Sequence, residues 1–219
     1  MKTVLCYGDS LTWGMNAATM KRHAHEDLWP TVVEAKLGGA VRMINASLGG
    51  RSTSFDDHSV AADRNGVRVL PTILGTFDPI DLVVFMLGTN DVKTWISGSA
   101  VAAAQGMKRL VDIVRTYPYE GGVPAPKILI VSPPPAGELA PFGKFPLLSP
   151  RTGEGTDLPA KYKVVAETTG CEFFDAATVA STIGGTDGVH LDAANTRAIG
   201  EALSPIIARM LGVSEARIA

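Results

Sequence analysis

The chain has 219 residues, of which 46% are apolar and 19% charged, and its formal net charge is −2. That length suits a single domain over 1–219 with a sizeable core, and the composition is that of a globular protein. There is no block of like charge, and the longest apolar stretch runs only from Leu82 to Leu87, so nucleic-acid binding, a polybasic membrane patch and a helical membrane span are all unsupported.

Met1-Lys2 precede a short apolar run. That run lacks a small-residue cleavage site and leads straight into a serine motif, so no signal peptide is expected and the chain reads as cytoplasmic. The β-rich stretch 3–7 predicts a first strand. Over 28–37, Leu28, Val32, Val33 and Leu37 recur at helical spacing. Residues 41–46 predict a second strand. Residues 65–74 read as a helix that Pro71 interrupts or kinks. The run 81–87 is apolar throughout, as expected of a central strand buried on both faces. A helix over 99–115 is capped by Ser99 and carries Val101, Met107, Leu110, Val111 and Val114 on its apolar stripe. Residues 127–131 predict a fourth strand, stopped by Pro133-Pro134-Pro135. A helix over 157–169 and a short fifth strand over 172–174 follow. Asp192 caps a last helix that turns Ala198, Ile199, Ala202, Leu203, Ile206 and Ile207 to the core, with a kink or break expected at Pro205.

Strands separated by helices imply right-handed βαβ units and a parallel sheet, hence an α/β fold built as a three-layer α/β/α sandwich on five strands. In such sheets ligands bind beyond the carboxyl ends of the strands. Two loops, 49–64 and 133–156, are long enough to be functional or to make contacts. The second carries Phe142, Phe145, Leu147 and Leu148, the material of a lid, a pocket wall or a subunit interface. The two cysteines, Cys6 and Cys171, are expected to be free thiols in strand-like segments. His23, His25 and His58 lie in polar loops and are expected to be solvated or at an interface. No structural-zinc spacing occurs beyond the partnerless His23-x-His25, and no glycine-rich phosphate loop is present, so neither a metal nor a cofactor is expected.

The chemistry-bearing text falls at strand ends. The first apolar run ends in Gly8-Asp9-Ser10-Leu11, and Asp187-Gly188-Val189-His190 comes near the C-terminus. A serine just past a strand, with an aspartate and a histidine together elsewhere, is the material of a nucleophilic hydrolase. Serine is a weak nucleophile and needs a base; imidazole changes charge near neutrality, and a neighbouring carboxylate fixes its tautomer. Ser10, Asp187 and His190 are therefore the catalytic candidates, against the plainer readings of a helix cap and a surface turn. Asp9 is expected to order the turn around Ser10. Two middle segments, Asn45-Ala46-Ser47-Leu48-Gly49-Gly50 and Gly88-Thr89-Asn90-Asp91, complete the set.

These four blocks, in this order, resemble the GDSL/SGNH hydrolases. The finer text, Gly8-Asp9-Ser10-Leu11-Thr12-Trp13-Gly14, Met86-Leu87-Gly88-Thr89-Asn90-Asp91, Val131-Ser132-Pro133-Pro134-Pro135 and Asp187-Gly188-Val189-His190, resembles the bacterial arylesterase/acyltransferase branch. The resemblance implies a flavodoxin-like sheet of order 2-1-3-4-5 and an oxyanion hole of Ser10, Gly50 and Asn90, with Gly49 adjacent to the glycine position. It further implies a serine esterase for small carboxylic esters, with acyl transfer to alcohols or hydrogen peroxide in some members, and a homo-oligomer. Trp13 and Met15 after the nucleophile, Lys93 and Asp91 beside Asn90, Val189 beside His190, and Phe145 are the candidates to shape or line a substrate pocket. Plain packing or a surface position is the alternative for these residues. Two rival functions stay open: a deacetylase of acetylated sugars on the same residues, and a non-catalytic binding protein with a relict site.

Overall fold

The computed structural model describes residues 1–136, 157–182 and 187–214. In chain order the elements are β1 (Lys2–Gly8), a one-turn α1 (Ser10–Trp13), short strands β2 (Met15–Asn16) and β3 (Lys21–Arg22), α2 (Trp29–Leu37) and β4 (Val41–Asn45). Next come α3 (Gly66–Phe77), β5 (Leu82–Met86), α4 (Ala100–Thr116), β6 (Lys127–Ser132), α5 (Leu158–Thr169), β7 (Glu172–Asp175) and α6 (Ala193–Leu211). Five strands form one parallel sheet of order β4-β1-β5-β6-β7. Counted along the chain this is 2-1-3-4-5, the order the family resemblance implies.

Side chains of a strand alternate between faces, so each apolar strand feeds two cores. Leu5, Tyr7, Val83, Phe85, Ile128 and Ile130 pack on one side with Leu70 and Leu74 of α3, Met107 and Leu110 of α4 and Tyr162 of α5. Val4, Cys6, Leu82, Val84, Met86, Leu129 and Val131 pack on the other with Trp29 and Val33 of α2 and Ile199, Leu203 and Ile207 of α6. Helices on both faces and a sheet between them are the three expected layers. Side-chain oxygens of Ser99 and Asp192 accept from the N–H groups of Ala102 and Asn195, capping α4 and α6.

Two expectations are corrected and one element is added. Of the break or kink expected at each proline, the break does not occur: α3 runs through Pro71 and α6 through Pro205. Both prolines lie on exposed sides, where water can satisfy the carbonyl left without its donor. Val101 is 53% exposed and leaves the apolar stripe of α4 to Ala100, Ala103, Ala104, Met107, Leu110, Val111 and Val114. The short hairpin of β2 and β3 was not foreseen, because two-residue strands have no periodicity to read.

Cys6 and Cys171 are free thiols. Among the described residues no helix is long and apolar enough to cross a membrane. The loop 49–64 closes on itself: Ser52 N donates to Arg64 O, Arg64 pairs with Asp57, and Arg68 pairs with Asp56 and Asp63. The apolar loop residues Phe142, Phe145, Leu147 and Leu148 lie outside the described residues.

Gly106 lets α4 press against this loop. A Cβ there would overlap Thr53 Oγ1 and crowd Ser54 Oγ. Alanine favours helices over glycine, yet Gly106→Ala is expected to lower stability by about 1–3 kcal/mol through overpacking. The measurement is a urea titration, with the midpoint falling at unchanged slope.

Candidate active site

Ser10 stands at the carboxyl end of β1, the second strand of the sheet, where its neighbours β4 and β5 also end. Asp9 caps the one-turn helix α1, its Oδ1 accepting from Leu11 N at 2.9 Å. Gly14 closes that turn in the left-handed region (φ 92°), its N–H on Ser10 O. Gly8 leaves the space that Thr12 fills, since a Cβ on Gly8 would overlap the Thr12 side chain.

His190, the candidate base, comes from the loop before α6. Asp187 Oδ1 accepts from the backbone N–H groups of Val189 (3.0 Å) and His190 (2.9 Å). Its Oδ2 lies 2.6 Å from His190 Nδ1, and His190 Nε2 lies 2.9 Å from Ser10 Oγ. Burial pushes the Asp187 carboxyl up, but its bonds to the His190 N–H and ring and to the Val189 N–H outweigh this and hold it below its ordinary value. An ionised carboxylate only accepts, so Nδ1 carries the proton and Nε2 is left to accept from the Ser10 hydroxyl. Serine, imidazole and carboxylate thus form one unbroken relay.

The block after β4 docks on the end of β1. Ser47 Oγ accepts from Gly8 N, and Leu48 N donates to Gly8 O. Residues 48–51 make a turn closed by Arg51 N on Leu48 O, with Gly50 at φ 81°. The open side of Gly49 faces Ser10, where a Cβ would stand 4.0 Å from that of the serine; the open side of Gly50 faces the Arg64 guanidinium. Among the described residues the N–H groups of Ser10, Gly49 and Gly50 have no acceptor.

Asn90 is buried, 4% exposed. Its Nδ2 donates to Asp9 Oδ2 (3.2 Å) and to Arg51 O (3.0 Å), so both amide hydrogens are engaged at rest. Asp91 is fully buried, not a surface residue. It accepts from Thr53 N (3.1 Å) and Thr53 Oγ1 (2.5 Å). Burial raises the carboxyls of Asp9 and Asp91 to about 6 each, and the charge of Asp9 adds to the rise at Asp91. Lys93 is half-buried; burial lowers its pKa against the pull of Asp9, and its ammonium stands 5.5 Å from the Trp95 ring.

The pocket candidates are less closely gathered. Trp13 lies under the Arg22 guanidinium at 5.1 Å, and Met15 belongs to β2. Val189 is buried within the Asp187 turn. Phe145 lies outside the described residues. His25 and His58 are exposed, but His23 is half-buried and bonded to Leu191 O, which corrects the expectation of a solvated ring.

Sequence reasoning passed over Arg51. Its guanidinium is buried, donates from Nη1 to Gly8 O (3.0 Å) and Ala46 O (2.7 Å), and covers the Tyr7 ring at 4.1 Å. No local signal marks it, because an arginine in a polar loop ordinarily faces water. A separate cleft of about 390 Å³ opens at the opposite end of the sheet, beside Arg115, Lys127, Glu172 and Arg209. Its cations are committed: Arg115 and Lys127 bond carbonyls at the ends of α5 and α6, and Arg209 pairs with Glu172.

Comparison with known proteins gives the family and the fold. The GDSL-like lipase/acylhydrolase family matches residues 6–198. A carbohydrate acetylesterase family member from Sinorhizobium meliloti is 48% identical, with 97% of this chain and 100% of that one covered and a TM-score of 0.93. A protein from Agrobacterium tumefaciens str. C58, provisionally named an arylesterase, is 46% identical over 96% of this chain and 100% of its own, TM-score 0.88. The aryl esterase of M. smegmatis is 37% identical over 96% and 100%, TM-score 0.88. Among curated proteins none matches significantly.

The buried acids give a test in pH. Both titrate near 6 in the fold but near 3.8 in the unfolded chain, so the folded protein holds extra protons between those values. The stability they contribute is full below the unfolded value and lost as pH rises through the folded one. Asp91→Asn removes one such group. Its unfolding free energy is expected to fall less steeply than that of the parent protein between about pH 4 and 6. Urea titrations across that range decide it; equal slopes would mean that Asp91 ionises alike in both states.

Proposed function

This chain belongs to the GDSL-like lipase/acylhydrolase family, and we propose that it is a serine esterase for short-chain carboxylic esters, acting through an acyl-enzyme on Ser10. The observation that carries the reading is the relay from Ser10 Oγ through His190 to Asp187, with links of 2.9 and 2.6 Å. A serine reaches a base in this way only when the base is held in one tautomer, and Asp187 does that.

Ser10 Oγ attacks the ester carbonyl carbon while its proton passes to His190 Nε2. Asp187 stabilises the imidazolium that forms. The carbonyl oxygen becomes an oxyanion, met by the N–H groups of Ser10 and Gly50 and by Asn90 Nδ2. Gly49, whose open side faces Ser10, leaves room for the ester. The Asn90 amide must yield one of its resting acceptors, and a full negative charge on the substrate oxygen is a stronger acceptor than the Arg51 carbonyl. Collapse expels the alcohol, protonated by His190. Water, activated by the same imidazole, then releases the acid and restores Ser10. An alcohol or hydrogen peroxide entering in place of water gives acyl transfer by the same steps.

The short acyl portion is supported by the acetylesterase name of the 48% identical relative, and the alcohol portion is left open. Relatives named for carbohydrate acetylesterase and aryl esterase activity differ in the alcohol they release. The 48% identical relative favours a second reading, an acetylated carbohydrate as the alcohol portion. Initial rates on aryl esters of increasing acyl length and on acetylated sugars separate the two. Acetyl is expected to be the best acyl group in either series, and preference for long acyl chains would overturn the short-acyl assignment.

Ser10→Ala is expected to lose at least about 10⁴-fold in kcat while keeping its fold. Fluorophosphonate labelling followed by peptide mapping gives the direct check. A variant that retains a tenth of the parent rate refutes the nucleophile.

A further inference from the structure

We infer that His23 is a positioning residue for the base: it fixes the loop that carries His190 against the hairpin that follows Ser10. The inference rests on the esterase reading above, in which His190 takes the Ser10 proton.

The loop 187–192 has no strand or helix of its own to hold it. Its internal bonds converge on Asp187, and Asp192 belongs to the cap of α6. Gly188 is in the left-handed region at φ 59°, so the turn is tight, and Leu191 buries its side chain in the core that holds Cys6 of β1 and Leu11. Among the described residues, two hydrogen bonds reach it from the N-terminal part of the chain. One is the Ser10–His190 contact itself, and the other runs from His23 Nε2 to Leu191 O at 2.9 Å.

A carbonyl only accepts, so His23 carries its proton on Nε2. Nδ1 is then the acceptor and faces Asn16 Nδ2 at 3.4 Å. The partners thus set the tautomer from both sides. The backbone of His23 is anchored as well, its N–H donating to Gly14 O at 2.8 Å. Gly14 N in turn donates to Ser10 O at 2.9 Å.

These bonds close a ring. It runs from Ser10 to Gly14, from Gly14 to His23, across to Leu191, one residue along to His190, and back to Ser10. Every link but the reacting one is independent of the chemistry. The ion pair of Asp27 with Arg197 ties the following turn to α6 alongside. Packing of Leu191 holds the loop down, and His23 is the directional hydrogen bond that holds the loop backbone next to His190 in register with Ser10 when the reacting contact itself is breaking. A proton transfer of this kind tolerates little misplacement; an error near 1 Å costs about a hundredfold.

The test uses three substitutions. His23→Leu keeps bulk and removes the donor. His23→Gln places an N–H at the reach of Nε2, and His23→Asn places one too short to span to Leu191 O. For each, the rate of Ser10 labelling by a fluorophosphonate, kcat and KM on an aryl acetate, and the urea midpoint are measured. The leucine variant is expected to lose about tenfold to a hundredfold in labelling rate and kcat, with KM changed less than about twofold. The glutamine variant is expected to recover to within about threefold of the parent rate and the asparagine variant not to recover.

If the leucine variant labels at the parent rate, or if the glutamine and asparagine variants are equally fast, His23 does not position the base. A loss that tracks the urea midpoint across all three also overturns the role, since it marks a fastener of the fold alone. Should the leucine variant not fold, the glutamine–asparagine comparison decides by itself. Failure of the parent protein to label at Ser10 is a different result: it removes the esterase reading, and the positioning role with it.

Discussion

One buried guanidinium holds the site's three loops together. Arg51 bonds the carbonyl at the end of β1 and the carbonyl just after β4, and its own carbonyl accepts from Asn90 after β5. A charge taken out of water is costly unless paired and hydrogen-bonded. Here the carbonyls, the Tyr7 ring face and the field of Asp9 together supply the compensation, while burial still lowers the Arg51 pKa. Remove this cation and three strand ends lose their common anchor. The turns that carry Ser10, Gly49-Gly50 and Asn90 would then be free to drift apart.

The same anchor explains why carboxylates lie beneath the reacting atoms. Asp9 caps the serine turn and holds the Asn90 amide; Asp91 holds Thr53. Both are buried and both are pushed toward about 6, so neutral pH keeps them charged at a cost to stability. The fields of the half-buried Lys93 and of Arg51 offset part of that cost at Asp9, and the Thr53 bonds offset part of it at Asp91. Holding the Ser10 and Asn90 turns in one arrangement places polar groups where an apolar core would be more stable, so order at the strand ends is kept at a cost to stability.

A parallel sheet makes this trade feasible. All five strands run the same way, so the loops after β1, β4 and β5 emerge side by side. Chain segments far apart in sequence meet there without any long strand-to-strand excursion. The loop before α6 then needs to reach only the middle of the sheet to place His190 on Ser10. The opposite end collects the helix C-termini, whose carbonyls are met by Arg115 and Lys127. The two ends thus differ in electrostatics as well as in chemistry.

The amino-acid sequence by itself determined the five strands of the sheet and its main helices, the two-sided burial of the central strand and the four blocks of the candidate site. Those features rest on near neighbours: an unbroken apolar run within 81–87, helical spacing around Leu110 and around Leu203, and a cap or turn residue at the element ends. Even so, local rules allowed a break at Pro71 and at Pro205 that does not occur, because the solvent side of a packed helix tolerates a missing donor that an isolated helix does not. Only the tertiary structure decided which glycine faces Ser10, that Asp91 is buried, that Arg51 turns inward, and that His23 touches the base loop. Each of those facts is a contact between segments with no local periodicity between them, His23 and Leu191 being separated by 168 residues. Burial and pairing at such range depend on where the sheet brings the chain back, and that is a property of the folded whole.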